Sequence, residues 1–527
     1  MDMLQLPAFG EDRFFDDLVG ANSRVLLIPE ADNQVFERYA SLFAESGFET
    51  WERSSTETRC FAVFRKNSIG IFLSYYRAPR QLQMVIEESC NYFTYSDRSQ
   101  EATVTPRLSQ LFLCDYGMSY VLRLSDGRLV IIDGANVYEK DIDNLFDRLK
   151  TDSPADKPVI AAWIFTHPHS DHYFCFFPFM EKYGDRVEIQ KFFFHFPDSE
   201  DLGHFPALGK TEKVFSRYSG EDGITSSRIL RRFYEKVAQL GVPVYTPHAG
   251  QHYKLGDAMV QFFSAMDDTV HRSQNINASS LMFTIDIAGQ RIFFGGDGSF
   301  DDSLLAQRFG NELKSDILQF PHHGFGCGAV DGQISALRLI APSVCVLPVE
   351  KDLAYRTFTT YREGTNYMMT RLGIKELRTG EAEHTLELPY HPSPDGVLAL
   401  QQNYQRGRDD AGARTWIFSD LNAGKPEDFW FSVLNTTYLP ASITAELYFE
   451  NMEKKILRVS FPGPRLGVYR LHCLLPIREG LTEADIPAFL NQRDIPQNTP
   501  FAVRFLSDLP IVISHKEHAP SYRSSVI

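Results

Sequence analysis

Ala161-Ala-Trp-Ile-Phe-Thr-His167-Pro-His169-Ser-Asp171-His172 is the stretch on which the reading of this chain turns. Its first half is apolar and predicts a buried strand. The polar half begins where that strand should end, so its side chains converge at a strand tip. His167 and His169 alternate by two and can point to one side, while Asp171 and His172 follow on the turn towards a neighbouring point. Imidazole nitrogens packed beside a carboxylate suit two metal ions side by side, a donor set that zinc accepts well. A lone histidine is ordinarily a surface residue or a satisfied core residue. Three histidines and an aspartate within six positions form a metal-site pattern.

Two later stretches repeat the grammar. Arg291-Ile-Phe-Phe-Gly-Gly-Asp297 ends an apolar run on an aspartate, after two glycines that permit a tight turn. Ile317-Leu-Gln-Phe-Pro-His322-His323-Gly324 ends another on two imidazoles. Upstream, Leu129-Val-Ile-Ile-Asp133-Gly134 puts a further carboxylate at a strand end. Hairpin strands come first, from Gln110 and Ser119. Strands then alternate with helices, the first of these spanning roughly Glu139 to Lys150. Residues 105–389 therefore read as a layered α/β domain with sheets inside and helices outside.

Residues 1–104 read as a small α+β module: a strand at Val25, a helix from Asn33 to Glu45 stopped by Gly47, and antiparallel strands starting near Cys60, Ile69 and Leu82. Residues 390–527 open on a Pro-rich hinge and continue as short, turn-punctuated strands, a β-rich accessory domain with one helix near Thr482 to Gln492. Trp416, Phe429, Trp430 and Phe431 read as core packing, with a ligand surface as the alternative, and Ser514 to His518 as a frayed end.

Composition narrows the function classes. A net charge of −15 over 527 residues creates no global field for nucleic acid or an acidic membrane, and favours a small substrate. Arg228, Arg231, Arg232 and Lys236 make the best local basic patch, and read as a solvated helix face. Seven scattered cysteines without a Cys-x-x-Cys point to reduced thiols and a cytoplasmic location. The N-terminal residues lack the pattern of a secretory signal, and no apolar run is long enough to span a membrane.

The ordered set Asp133-Gly134, His167-x-His169-x-Asp171-His172, Gly296-Asp297 and His322-His323-Gly324 resembles the metallo-β-lactamase superfamily over residues 105–389. The His-His-Gly ending, with Gln274-Asn275-Ile-Asn277-Ala-Ser-Ser280 before the Asp297 strand, resembles its branch of competence-protein hydrolase domains and choline-phosphate esterases. The resemblance implies a four-layer αβ/βα sandwich with two zinc ions per chain on the rim of two facing sheets. It implies His167 and His169 on the first zinc, Asp171 and His172 on the second, Asp297 bridging, and His323 completing the second. His322 is then left to meet a substrate oxygen, and Asp133 to orient the loop or a ligating imidazole.

The chain departs from the family pattern in two places. Relatives carry a further histidine before the bridging aspartate; His248, His252 and His271 are available here without the usual flanks, and Asn275 is the other candidate. Relatives also have glycine soon after the last histidine of the cluster, where this chain has Tyr173-Phe174-Cys175. Cys175 reads as a buried structural thiol.

Two adjacent zinc ions lower the pKa of a shared water and polarise a substrate oxygen. The resemblance therefore implies hydrolysis of a phosphodiester or related phosphoester by metal-bound hydroxide, with Asp171 and His322 as catalytic candidates. Lactone, thioester or amide hydrolysis is the alternative, as is a non-catalytic binding protein with a structural metal. The same donors also suit Mn2+ or Fe, although iron oxidoreductases on this scaffold usually carry an acidic residue where His169 stands.

Overall fold

The computed structural model describes residues 13–16, 23–115, 117–269, 273–298, 304–324, 331–348, 374–380, 382–392, 413–422, 430–435, 441–450, 454–461, 465–470 and 500–516. The chain divides into two compact units. One comprises Met1–Ala354 with Met368–Gly396, the other Tyr355–Tyr367 with Val397–Ile527.

The first unit begins with a six-stranded antiparallel sheet in the order Arg13–Asp16, Ser23–Ile28, Gln81–Glu87, Ile69–Tyr76, Arg59–Lys66, Glu49–Ser55. Alternate side chains divide between its two faces. Leu26, Ile28, Phe64, Ile71 and Met84 face the helix Asn33–Glu45, which buries Phe36, Tyr39 and Phe43 against them. Val25, Phe61, Val63, Phe72 and Val85 form the core of the opposite face. Asp32 caps the helix by accepting a hydrogen bond from the Val35 amide at 2.9 Å. The strand Glu49–Ser55 has no counterpart in the hydropathy pattern, because it is a largely exposed, charged edge strand.

The rest of this unit is a sandwich of two sheets. The first runs Val244–Tyr245, Phe192–Phe193, Val159–Ile164, Leu129–Asp133, Ser119–Arg123, Arg107–Gln110, His384–Glu387, with Glu188–Ile189 also on Val159–Ile164. Its first four strands are parallel, so their C-terminal ends share one edge. The second sheet runs His252–Leu255, Ala258–Ser264, Met282–Ile287, Gln290–Phe294, Ile317–Gln319, Val344–Leu347, Glu376–Thr379. It turns parallel from Gln290–Phe294 onward.

The inward faces of the two sheets share one core: Tyr120, Val130, Ile132, Ala162 and Ile164 against Phe262, Phe283, Ile285, Phe294 and Ile317. The outward face of the first sheet, Val121, Leu129, Ile131 and Trp163, is covered by helices Glu139–Asp152, Phe176–Tyr183 and Ser226–Leu240. On the far side, Phe309 of helix Leu304–Phe309 meets Phe263 edge-on at 4.8 Å. The layers thus read helix, sheet, sheet, helix, the αβ/βα sandwich that the resemblance implies. Both sheets direct the ends of their parallel strands to a common rim, where open α/β sheets place their sites.

The second unit is antiparallel, in the order Lys455–Phe461, Ala441–Phe449, Pro500–Lys516, Trp430–Asn435, Arg465–Arg470, with Ala413–Asn422 also on Pro500–Lys516. Phe431, Val433, Ala445, Leu447, Val503, Phe505 and Ile511 are buried in it. Phe431 packs against Phe505 at 4.7 Å and Trp416 donates to the Ile511 carbonyl, so both serve the interior. The expected frayed end is corrected here: Ser514–Lys516 pair with Trp430–Ser432, because the strand alternation beginning at Phe501 continues that far. Phe429, the segment from Val397 and the helix expected near Thr482 lie outside the described residues.

The three arginines of helix Ser226–Leu240 meet acids: Arg228 and Arg232 pair with Glu221, and Arg231 with Glu200. Among the described residues Cys60, Cys90, Cys114, Cys175 and Cys345 are free thiols, and no helix is long and apolar enough to cross a membrane.

Candidate metal centre

Every residue of the strand Val159–Ile164 after Val159 is buried, as are Phe165 and Thr166, so the chain delivers His167 to the rim already enclosed. A one-turn helix, Ser170–Tyr173, follows with His169 at its N-cap. This turn folds Asp171 and His172 back beside His167: the His167 and His172 rings lie 4.2 Å apart, and those of His167 and His169 4.8 Å. Tyr173, Phe174 and Cys175 point away into the core beneath, among Phe196, Phe215 and Phe233. Core filling accounts for their bulk where the resemblance implies glycine, and Cys175 joins no donor group among the described residues.

Asp297 and His323 arrive from the second sheet. Two donor groups result, Asp171, His172, Asp297 and His323 in one and His167, His169 and Asp297 in the other. Asp297 belongs to both. Its Oδ1 is 3.2 Å from His172 Nε2 and 3.5 Å from His323 Nε2, while Oδ2 is 3.8 Å from His167 Nε2. His323 Nε2 also lies 3.1 Å from Asp171 Oδ2. Side chains of His167 and His172 are fully buried, and those of Asp297 and His323 are 3% exposed.

These atoms gather without satisfying one another. His167 Nε2, His172 Nε2 and Asp297 Oδ1 are buried and make no hydrogen bond among the described residues. His172 Nε2 and Asp297 Oδ1 stand 3.2 Å apart without meeting hydrogen-bond geometry. Buried polar atoms are nearly always partnered, so such a convergence of orphans fits an absent cation. Nitrogen and oxygen donors at these spacings fit zinc-class metals.

The opposite ring nitrogens are held. Asp133 accepts from the Thr166 amide at 2.7 Å, the Thr166 hydroxyl at 2.8 Å and His172 Nδ1 at 2.8 Å. The Asp133 carbonyl takes the Trp163 indole N–H at 3.0 Å, which locks the strand tip in place. His323 Nδ1 donates to the Pro348 carbonyl at 3.1 Å. In both rings the proton is fixed on Nδ1 and Nε2 is aimed at the centre, the orientation that ligating imidazoles adopt.

Asp297 is held through its backbone. Its amide donates to Ser280 Oγ at 3.1 Å, and Gln319 Oε1 accepts from the Gly295 and Gly296 amides at 2.8 and 2.9 Å. Gly296 sits at φ +53°, and a Cβ there would stand 3.0 Å from Thr166 Cβ, so both conformation and space require glycine. His322 and His323 themselves adopt left-handed backbone, at φ 52° and 50°. That conformation is sparsely populated by residues with a Cβ and is commonly held at functional sites.

Electrostatics follow the geometry. Burial and the neighbouring His172 push His167 well below the usual imidazole range. Burial also acts on His172 and His323, but the Asp297, Asp171 and Asp133 carboxylates outweigh it at His172, which rises well above that range. At His323, Asp297 and Asp171 outweigh it and raise the ring to about 10. Burial would raise Asp297, yet His172 and His323 hold it well below the carboxylate range. Without a metal, protons on two imidazoles do the work of cations among these carboxylates.

His322 is set apart from the donor groups. It is half-buried, burial lowers it below the imidazole range, and its Nε2 accepts from Asn277 Nδ2 at 3.0 Å. Of the candidates for a further ligand, Asn275 is exposed and its side chain accepts from the Asn277 amide as a helix cap. His252 is exposed and pairs with Glu52. His248 is buried but belongs to a third group with His195 and Asp267. His271 lies outside the described residues.

The sequence reading gave no role to Thr166, Ser280, Asn277 or Gln319, although Asn277 and Ser280 lie in the stretch that carries the resemblance. Gln319 carried a usable signal, since an amide inside the apolar run Ile317-Leu-Gln-Phe must find buried partners.

A scan against protein-family models gives no match. A search of curated proteins gives none either. Among solved structures, the chain is similar to the metallo-β-lactamase fold protein YhfI from Bacillus subtilis, at 15% identity over 54% of this chain and 100% of that one, with a TM-score of 0.31. It is similar to CmlA, a diiron β-hydroxylase from Streptomyces venezuelae, at 14% identity over 55% of each chain and a TM-score of 0.33; it thus spans about half the hydroxylase's length. It is also similar to the Anabaena sensory rhodopsin transducer, at 20% identity over 20% of this chain and 88% of that one, with a TM-score of 0.16. At these identities and scores the likenesses carry no argument about chemistry, which rests on the donor geometry.

Proposed function

We propose that this chain is a zinc-dependent hydrolase with a dinuclear centre at the sandwich rim, acting on a phosphodiester or related phosphoester of a small molecule. The observation that carries the reading is the sharing of Asp297 between two donor groups, each completed by imidazoles from the His167–His172 turn. His167 and His169 would hold one ion, Asp171, His172 and His323 the other, with Asp297 between them. When bound, a zinc pair supplies polarisation of a substrate oxygen and a water of lowered pKa.

The chain's own residues support the rest. Asp133 and the Pro348 carbonyl keep the Nδ1 protons of His172 and His323 away from the centre. His322, with Nε2 accepting from Asn277, carries its proton on Nδ1 and can offer that N–H as a hydrogen bond to negative charge developing on a substrate oxygen. Phosphoester is favoured over lactone, thioester or amide by the His322-His323-Gly324 resemblance and by the fit of paired cations to in-line displacement at phosphorus. A net charge of −15 favours a small substrate over nucleic acid.

The test is a hydrolysis screen of zinc-loaded full-length protein against phosphodiesters, phosphomonoesters, lactones and thioesters, with chelated protein alongside. Turnover of a phosphodiester that chelation abolishes and zinc restores is the expected result. Zinc-restored turnover confined to lactones or thioesters would move the substrate class. Fully loaded protein inert in every arm would reject the hydrolase reading.

A further inference from the structure

The third buried donor group lies outside the centre described above and has no part in its chemistry. His195 follows the strand Phe192–Phe193 and His248 follows Val244–Tyr245. These strands pair in parallel, so the two histidines leave adjacent tips of the first sheet. Their rings lie 5.2 Å apart and nearly perpendicular, at 88°. Asp267 comes from the other sheet, just beyond Ala258–Ser264. All three are fully buried. One donor atom from each lies within 4.8 Å of the others.

The atom-level arrangement is that of a ligand set with outer support. Asp267 Oδ2 stands 3.2 Å from His248 Nδ1, a hydrogen bond whose place a cation would take. Donors on a tetrahedral zinc are about 3.3 Å apart. His248 presents its other nitrogen, Nε2, to Glu87 Oε2 at 3.4 Å. Glu87 closes the strand Gln81–Glu87 of the N-terminal sheet, so this contact is a carboxylate behind a histidine, the support that ligating imidazoles usually have. His195 Nδ1 lies 2.9 Å from the Pro247 carbonyl, which orients that ring in the same way. The His248 amide donates to Gln251 Oε1 at 2.9 Å and fixes the loop.

The cluster also holds a polar atom that protein groups leave unanswered. Asp267 Oδ1 is buried and accepts no hydrogen bond among the described residues. Two carboxylates and two imidazoles enclosed together require positive charge at their centre.

We propose that His195, His248 and Asp267 form a separate mononuclear site for a divalent cation of the zinc class, with Glu87 orienting His248 and so tying the N-terminal sheet to the sandwich. The competing arrangement has a proton in the cation's place: Asp267 and Glu87 raise His248 well above the imidazole range despite its burial, and the group is then a buried ion-pair network.

Full-length protein crystallised with zinc alone, with diffraction recorded above and below the zinc edge, separates the two. The expected result is an anomalous peak within bonding distance of His195, His248 and Asp267. No peak there in zinc-loaded crystals would overturn the site. The map reads this position apart from the Asp297 position, so failure of either site is visible without the other. Metal counting gives a second measurement on His195→Gln and His248→Asn. Each should lose one zinc per chain and keep the rest, and wild-type zinc content in both would also overturn the site. If either variant does not fold, the wild-type map decides.

Discussion

Replacing Asp133 by asparagine changes one atom of a fully buried side chain and tests the logic of the candidate centre. Asp133 accepts three hydrogen bonds, two from Thr166 and one from His172 Nδ1, all between 2.7 and 2.8 Å. In Asp133→Asn, the amide oxygen can keep the Thr166 amide, and the Thr166 hydroxyl can rotate to accept. His172 has no such freedom. Facing an N–H, its Nδ1 must give up the proton, which moves to Nε2, the atom aimed at Asp297. The imidazole is then in the wrong tautomer to ligate. Losing such support costs about 10–100-fold in metal affinity, or about 1.4–2.8 kcal/mol. In metal-free protein, charge-assisted bonds become neutral ones at about 1 kcal/mol each. Asp133→Ala would instead orphan all three donors at about 1–3 kcal/mol apiece. Zinc affinity by chelator competition and urea unfolding in chelator should therefore rank wild type, Asp133→Asn, Asp133→Ala. Wild-type zinc affinity in Asp133→Asn would refute the tautomer argument, and with it the reading of His172 as a ligand held from behind.

Other perturbations test neighbouring claims. His322→Ala should keep full metal content while turnover falls by about 10²–10³; loss of one metal ion per chain would instead make His322 a ligand. Gly250→Ala should destabilise by about 2 kcal/mol or more in urea unfolding, because Gly250 sits at φ +97° and a Cβ would stand 2.9 Å from Arg59 Nη1 and Phe61 Cε2. An unchanged midpoint would show that the loop shifts freely there. Burial raises the Asp97 carboxyl, but hydrogen bonds from Arg128 and the Gly256 amide outweigh it and hold it below the usual range. Its stabilisation is therefore full above about pH 4 and lost as pH falls through the lowered value. Asp97→Asn should be less stable than wild type at pH 7, with the gap closing in acid; a gap that widened would reverse the sign.

Local grammar made much of the sandwich legible. Apolar runs ending on chemistry-bearing residues located the tips at Asp133, His167, Asp297 and His323, because both strand burial and the change of character at a strand end are written within a few neighbouring residues. The helix Asn33–Glu45 was legible for the same reason, through its helical period and the stop at Gly47. Edge strands were less so: Glu49–Ser55 pairs by its backbone alone and leaves no apolar signature, and the end of Pro500–Lys516 is a strand only because Trp430–Ser432 lie beside it.

What side chains meet across the chain was decided by sheet order. Asn275 and Asn277 are two residues apart in similar surroundings, yet one caps a turn in solvent and the other reaches His322. His248 and His252 look equally available in sequence. The first is buried with His195, Asp267 and Glu87, drawn from three sheets, and the second pairs with Glu52 at the surface. Propensity and period act over a turn or a strand. Convergence of donors from distant parts of the chain depends on which strands lie parallel and adjacent, a property of the assembled sheets that no local stretch encodes.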